Sequence, residues 1–391
     1  MIYLDNNSTT QIDPRVLEAM LPYLSEHYAN PSASYRAARV VKKAIETARE
    51  QLAALLNCEP TELVFTSSGT ESNSAALFSA LTLDVRRTHF VNSKSEHSAV
   101  LELAKRWADT GHPVTEVDVD RGGRVSVTEL RGATKMGQTA VVSVMWANNE
   151  TGVITPMAEA LDAAHQHGAL FHTDAVQAVG KLPISLRDLS VDYLSLSGHK
   201  FHAPKGIGAI YISKRVRFKP WMLGGGQESG RRSGTENVSG IVGMGAAADL
   251  MRQELANGGE QRIAAMRDAF ERIVIAALPG TLVNGDCNHR LSTTSSLCFP
   301  GVDAAGMLIL LDEQGVCCTA GSACHTAALS PSYVLDAMGC DAAHSNSTLR
   351  FSWSRFNTME ETERAATIVI EGVNKMRSLQ AGSGPVRMTT G

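Results

Sequence analysis

Between about Pro14 and Asn257, short apolar runs alternate repeatedly with longer stretches of helical period, and nothing else in the chain restricts its fold so strongly. Leu63-Val64-Phe65-Thr66 reads as a strand, and Thr70 to Leu81, opening after Gly69, as a helix. His89-Phe90-Val91 and Ser98 to Ala108 repeat the pair. Ala140 to Met145 is a continuous apolar run, the pattern of a strand buried on both faces of a parallel sheet. Met157 to His167 reads as the next helix, with Ala169 to His172 and Asp192 to Leu196 as further strands. Such β-α repeats predict an α/β fold: a mostly parallel sheet covered by helices on both faces. Glu260 to Ala277 is a long amphipathic helix, after which short strands such as Thr294 to Phe299 alternate with helices, so a second, smaller α+β domain is expected. The expected division is 14–257 for the large domain, 1–13 with 258–379 for the small one, and 380–391 for a Gly/Ser/Pro-rich flexible tail.

At 391 residues, 43% hydrophobic and 19% charged, the chain has the make-up of a soluble globular protein of about two domains. A net charge of −4 without any Lys/Arg block argues against direct nucleic-acid binding. No apolar run reaches the roughly 18 residues that span a bilayer. The first residues have neither the basic nor the apolar region of a signal peptide, so a cytoplasmic protein is expected. The seven cysteines are odd in number and include no C-x-x-C pair, so neither a disulfide framework nor a structural metal site is expected.

Ligands of such sheets collect beyond the carboxyl ends of the strands, so the residues placed there carry the chemistry. Ser197-Gly198-His199-Lys200 follows one strand and precedes the turn Pro204-Lys205-Gly206-Ile207-Gly208. A lysine shielded from water there can form a Schiff base with an aldehyde, while its small and hydrogen-bonding neighbours can hold a phosphate. By itself such a lysine is more often an ordinary surface cation. Ser67-Ser68-Gly69-Thr70-Glu71 opens a helix, and its free N–H groups and the Thr70 hydroxyl suit an anion or simply cap the helix. Asp174, in His172-Thr173-Asp174-Ala175-Val176-Gln177, is either an N-cap or a buried carboxylate kept ionised by a cation such as a protonated pyridine nitrogen. Gln177, three residues on, reaches the same ligand from one helical face. His97 follows another strand and can stack on an aromatic cofactor or merely cap a helix. Together Lys200, Asp174 and the Gly69-Thr70 turn supply the amine, the carboxylate and the phosphate donors that a pyridine aldehyde phosphate requires.

A second reactive centre is Gly321-Ser322-Ala323-Cys324, within the small-residue segment Thr319 to Ala328, the setting of an exposed loop nucleophile rather than a core thiol. His325 beside Cys324 could favour the thiolate, whereas Cys317 and Cys318 follow an apolar run and read as buried. Asn148-Asn149-Glu150-Thr151-Gly152 presents amides near the expected site. Arg350 sits in a strand-like apolar run, where an arginine usually holds a carboxylate, of the protein or of a substrate.

These stretches resemble the cysteine desulfurases, class-V pyridoxal-phosphate enzymes of aminotransferase fold type I that feed sulfur to iron–sulfur cluster assembly. The matching segments begin with Tyr3-Leu4-Asp5-Asn6-Asn7, Asn30-Pro31-Ser32, Ser68-Gly69-Thr70-Glu71-Ser72 and Trp146-Ala147-Asn148-Asn149-Glu150-Thr151-Gly152. They continue with His172 to Gln177, Ser197 to Lys200, Gly224-Gly225-Gly226-Gln227-Glu228 and Arg231-Arg232-Ser233-Gly234-Thr235-Glu236-Asn237. Gly321 to Cys324 and Leu349-Arg350-Phe351-Ser352 complete the set, and the likeness runs to about residue 378. It is greatest to the group with a long catalytic-cysteine loop, which includes the nitrogen-fixation and housekeeping iron–sulfur enzymes.

The resemblance implies a large domain around a mostly parallel seven-stranded sheet, a small α+β domain carrying the catalytic-cysteine loop, and a homodimer. It implies that Lys200 forms the Schiff base and shuttles protons, and that His97 stacks on the pyridine ring and serves as acid or base. Asp174 would pair with the ring nitrogen and Gln177 with the phenolic oxygen. Gly69, Thr70, Ser197 and His199 would hold the phosphate, with Thr235 entering from a neighbouring subunit. Asn149 and Arg350 would bind the substrate L-cysteine, Arg350 through its carboxylate, with Asn30 assisting. Cys324 would take the sulfur as a persulfide, release alanine, and pass the sulfur to an acceptor protein such as an iron–sulfur scaffold.

Two features depart from the family pattern. Tyr35 stands where many relatives have a histidine, and Cys317-Cys318 and His325 stand where relatives have small or hydroxyl residues. The sulfur acceptor and the choice between cysteine and selenocysteine stay open. A selenocysteine lyase or specialised carbon–sulfur lyase on the same fold is one competing reading, and a non-catalytic docking partner is another. An intact lysine, aspartate and loop cysteine argue against the docking partner, which needs none of the three.

Overall fold

The computed structural model describes residues 1–321 and 331–382. Cys324 and His325 lie outside the described residues, as does most of the expected tail. A two-residue strand, β1 (Ile2–Tyr3), opens the chain. Seven strands then build one sheet: β2 (Leu63–Thr66), β3 (His89–Ser93), β4 (Val114–Val117), β5 (Thr139–Ser143), β6 (Leu170–Asp174), β7 (Tyr193–Ser197) and β8 (Gly208–Ile212). The later strands are β9 (Leu282–Val283), β10 (Thr294–Cys298), β11 (Val316–Cys317) and β12 (Thr348–Ser352).

The large sheet has the order β2-β8-β7-β6-β5-β3-β4. From β7 through to β4 every neighbouring pair is parallel, while β8 runs antiparallel to both β7 and β2. The antiparallel strand has a local cause. Only Gly198 to Ile207 joins β7 to β8, too short a link for the helical crossover that a parallel neighbour needs. In the sequence, β8 is hidden behind the turn residues Pro204 to Gly208.

Strand alternation sorts the apolar side chains to the two faces of the sheet. Phe90, Val141, Tyr193 and Ile210 join one buried cluster, while their chain neighbours Val91, Val142, Leu194 and Ala209 join another. Each Val, Leu, Ile or Phe buried in this way contributes roughly 1.5–3 kcal/mol. Helices Gly69–Thr82 and Ser98–Asp109 cover the first face; Arg36–Leu56, Met157–His165 and Val238–Ala256 cover the second.

A third cluster, which includes Leu4, Phe270, Leu297, Phe299, Phe351 and Trp353, shares no residue with these two. It forms where helices Gly259–Ala277, Ala304–Glu313 and Met359–Gly382 pack on the antiparallel pair of β10 and β12. β1 pairs in parallel with β11, which ties the start of the chain to its last third. The residues after β1 then run from the small sheet toward the large one: Asn6 N donates to Ser352 O of β12 at 3.3 Å, and Thr10 N to His199 O, just past β7, at 2.9 Å. Helix Met359–Gly382 runs past position 380, where the tail was expected to begin, because Gln380 and Ala381 favour helix and the first glycine of the expected tail is Gly382. Among the described residues no helix is long and apolar enough to cross a membrane.

Candidate active site

β6 and β7 end at Asp174 and Ser197, β3 leads to His97, and helix Gly69–Thr82 starts just past β2. Along that edge of the sheet opens a cleft with a volume of ≈ 220 Å³. Its lining brings together Gly69, Thr70, His97, Asn149, Asp174, Gln177, Ser197, His199, Lys200 and Arg350. The expected substrate residue Asn30 does not reach it within this chain. Asn30 is exposed, and its Oδ1 accepts from Ser32 N at 2.9 Å to close its own turn. Thr235 is likewise exposed and outside the cleft.

Gly198–Lys200 forms one tight helical turn off the end of β7. Lys200 Nζ donates to Asn7 O at 2.7 Å and Ser8 O at 2.8 Å, so carbonyls of the N-terminal segment hold the amine in the cleft. The neighbouring His199 lies with Nδ1 3.1 Å from Thr9 Oγ1. Burial, with Lys200 close by, pushes His199 down to about 4, so its ring is neutral at neutral pH and can give one N–H to an anion.

Ser68 caps helix Gly69–Thr82 by accepting from Glu71 N at 3.1 Å. A Cβ on Gly69 would sit 2.7 Å from Val176 Cγ2 and 3.3 Å from Ser197 Cβ. The glycine is therefore needed to seat the helix start on the strand ends, not only for close approach of a ligand. Glu71 receives Ser67 N at 2.7 Å and pairs with Arg232 Nε at 2.9 Å. Burial raises its pKa, but hydrogen bonds from Arg232 and Ser67 outweigh that and keep the carboxyl below the usual range. That ion pair ties Arg232, three residues before Thr235, to the start of helix Gly69–Thr82.

Asp174 Oδ1 accepts from Val176 N at 2.9 Å, and Oδ2 from Asn73 Nδ2 at 2.6 Å. Asp174 thus caps the turn after β6 and is at the same time a buried carboxylate facing the cleft. Asn73 itself is a site residue that the sequence reading passes over; its position three after Thr70, on the same helical face, is the signal that points to it. His97 Nδ1 accepts from Ala99 N at 3.1 Å, which leaves the proton of the neutral ring on Nε2. Glu96, beside it, is fully buried, and its Oε1 accepts from Met145 N at 2.6 Å and Ser93 Oγ at 3.1 Å. Burial lifts Glu96 to about 8, so it is mainly protonated at neutral pH while it ties the exits of β3 and β5 together.

Beyond β5, Asn148 spends its Oδ1 on Glu150 N and Thr151 N, both at 2.9 Å, and so shapes the turn that leaves Asn149 in the cleft lining. Arg350 is 2% exposed, and its Nη2 donates to Asp5 Oδ1 at 2.8 Å and Ser8 Oγ at 2.7 Å. Its Nη1 donates to Asn149 O at 2.7 Å. The arginine thus holds a protein carboxylate and faces the cleft at once. Gly321 and Ser332, which bracket the segment carrying Cys324, both lie against Glu150: Ser332 Oγ donates to Glu150 Oε2 at 2.5 Å, and a Cβ on Gly321 would begin 3.5 Å from the same oxygen. Cys317 and Cys318 are half-buried rather than fully so, and burial raises both thiols above the ordinary range, which disfavours the thiolate.

This donor set fits pyridoxal phosphate. A helix N-terminus with Thr70 and a neutral His199 suits a phosphate, Asp174 a ring nitrogen, and Lys200 an aldehyde. Asn73 Oδ1 is buried with no hydrogen-bond partner among the described residues, an acceptor left for a ligand or water.

A family model of the class-V aminotransferases matches residues 2–365. The chain is 44% identical to a cysteine desulfurase of Trichormus azollae over 97% of this chain and 94% of that one. It is 41% identical to the cysteine desulfurase NifS of Azotobacter vinelandii, over 98% of this chain and 96% of its relative. Among solved structures, a NifS-like protein superposes with a TM-score of 0.89 at 35% identity, covering 96% of this chain and 99% of its own. Because the match spans every residue of the cleft and extends over nearly the whole chain, the chain belongs to the class-V aminotransferases and, within them, to the pyridoxal-phosphate-dependent cysteine desulfurases.

Proposed function

We propose that this protein converts L-cysteine to L-alanine, leaves the sulfur as a persulfide on Cys324, and hands it to an acceptor protein serving iron–sulfur clusters or another thio-cofactor. The observation that carries this reading is the meeting, in one cleft, of Lys200, Asp174 and the Gly69-Thr70 helix start with Asn149 and Arg350. When bound, pyridoxal phosphate supplies an electron sink that loosens the Cα–H bond of the substrate.

Gly69, Thr70, Ser197 and His199 would hold the phosphate. Asp174, oriented by Asn73 and Val176 N, would keep a proton on the ring nitrogen. Gln177 would donate to the phenolic oxygen, and His97 would lie on the ring. Lys200, held at the cleft by two carbonyls, would move the proton at the substrate's Cα. Arg350 and Asn149 would orient the substrate carboxylate. In the sulfur step Cys324 attacks the substrate sulfur. A C–S bond breaks, an S–S bond forms and the carbon takes up a proton, so two thiols become one alanine and one enzyme persulfide without an outside oxidant.

The separate apolar cluster around Phe270 and Trp353 supports a small domain drawn from 1–13 and 258–379 beside a large domain of 14–257, with Leu291, Val334, Leu335 and Met338 packing into the core of the large one. Trp221, Met222 and Leu223 are exposed just ahead of the segment that carries Thr235, which supports a homodimer with Thr235 at the phosphate of a second copy. The free cysteines among the described residues suit a reducing cytoplasm.

The test is to load the purified protein with pyridoxal phosphate, add L-cysteine, and follow alanine, sulfide and protein-bound persulfide together. Alanine and Cys324 persulfide appearing in step support the reading. Alanine with no persulfide would make the protein a direct lyase, and no alanine at all would overturn the assignment.

A further inference from the structure

Lys181 takes no part in the chemistry just described, yet it is buried directly behind the cleft. Its Nζ donates to two side-chain amide oxygens, Asn7 Oδ1 at 3.1 Å and Gln177 Oε1 at 2.5 Å. The nitrogen ends of both amides are already committed to backbone carbonyls. Gln177 Nε2 donates to Asn7 O at 2.9 Å, and Asn7 Nδ2 to Asn149 O at 3.2 Å. A carbonyl oxygen only accepts, so neither amide can turn its oxygen that way. Both oxygens are left converging on one point, and the amine of Lys181 occupies it. The charged groups that act on Lys181 are the cations Lys200 and Arg350, and burial together with these holds its pKa well below the ordinary lysine value. A neutral amine still has two N–H groups, one for each oxygen. Without them, two buried acceptors would face each other unsatisfied, a cost that works against the bond from Gln177 Nε2 to Asn7 O and so against the orientation of Gln177.

The same two amides tie the walls of the cleft together. Asn7 O accepts from Lys200 Nζ as well as from Gln177, and Asn149 O accepts from Arg350 Nη1 as well as from Asn7. We propose that Lys181 is a positioning residue: by donating to Gln177 and Asn7 at once, it fixes Gln177 with its amide nitrogen toward the cleft, as a hydrogen-bond donor to the phenolic oxygen of pyridoxal phosphate. The proposal rests on the cofactor reading of Gln177 given above.

The experiment follows the visible absorption of the pyridoxal-phosphate-loaded protein against pH. A donor at the phenolic oxygen stabilises its anionic form, so losing that donor should raise the midpoint of the spectral transition. Lys181→Met keeps the bulk and removes both N–H groups. It is expected to raise the midpoint by about one pH unit, the equivalent of one charge-assisted hydrogen bond. Gln177→Leu should raise it by a similar amount, and adding Lys181→Met to Gln177→Leu should change nothing more. A midpoint that Lys181→Met leaves in place, or a shift that adds in full to that of Gln177→Leu, overturns the proposal. A loaded wild type with no visible band would instead overturn the cofactor reading, and this proposal with it. Should Lys181→Met fail to fold, neutron diffraction on the wild type decides the point. No deuterium on the Gln177 atom facing Lys181 supports the assignment, and deuterium there overturns it.

Discussion

The two walls of the cleft are built by different means. The sheet wall takes Asp174, Ser197, His199 and Lys200 from the ends of the adjacent strands β6 and β7. The facing wall takes Asn7 and Ser8 from one end of the chain and Arg350 from the other. Each group on the sheet wall has its place set by its own strand. Each group on the facing wall depends on long-range pairing, of β1 with β11 and of β10 with β12. Lys200 and Asp174 sit on the first wall, and much of what holds Lys200 still comes from the second: it is gripped by Asn7 O and Ser8 O. A lesion in the sheet wall should therefore stop chemistry, and a lesion in the facing wall should loosen binding.

The largest effects are expected from the reactive groups. Lys200→Ala should lower alanine formation from cysteine by on the order of 10³-fold, the usual scale for a lost proton-transfer group. Borohydride should fix the cofactor to Lys200, and a mass-spectrometric adduct on Lys181 instead would reverse the roles of the two lysines. Cys324→Ala should lose alanine and persulfide formation to a similar extent, yet keep the visible band of the bound cofactor.

Arg350→Ala tests the facing wall. It removes charge-assisted hydrogen bonds and strands Asp5, so kcat/KM for cysteine should fall by about 10–100-fold while cofactor affinity stays near wild type. A fall in kcat/KM of less than threefold would mean that this wall does not hold the substrate.

A smaller effect is expected behind the sheet wall. Asn73→Ala removes the hydrogen bond that orients Asp174 and should weaken cofactor binding about tenfold, read by titrating the apoprotein.

The remaining effect concerns stability alone. Glu96 stands at about 8 in the folded chain, above its unfolded value, so the folded state keeps a proton that the unfolded state releases. Stability of the apoprotein should therefore decline as pH rises from about 5 to 8, with a slope of at most about 1.4 kcal/mol per pH unit. Glu96→Gln should flatten that slope in denaturant titrations. An unchanged slope would place the pH dependence elsewhere.

How far the site can be read in advance differs in the same way between the walls. Asp174, Lys200 and the Gly69-Thr70 turn are legible because each follows an apolar run, and strand ends of a parallel sheet converge on one edge. Arg350 is legible as an arginine in an apolar strand, but its sharing between Asp5 and the cleft is not, because Asp5 lies at the other end of the chain. Lys181, Glu96 and Asn73 escape notice for a related reason. Their sequence context is ordinary, and their importance lies in burial and in what their side chains meet. Asn30 shows the converse: a matching motif does not bring the residue to the cleft of its own chain.

By itself, the amino-acid sequence determined the β-α order, the two-faced burial of the strands and the groups offered at the strand ends, since these follow from side-chain period and local turn chemistry. Only the tertiary structure decided that β8 runs antiparallel, that the first residues of the chain form the far wall of the cleft, and that two amide oxygens close on Lys181. These depend on contacts between residues remote in the chain, where a hydrogen bond is set by packing geometry and not by the local pattern of residues.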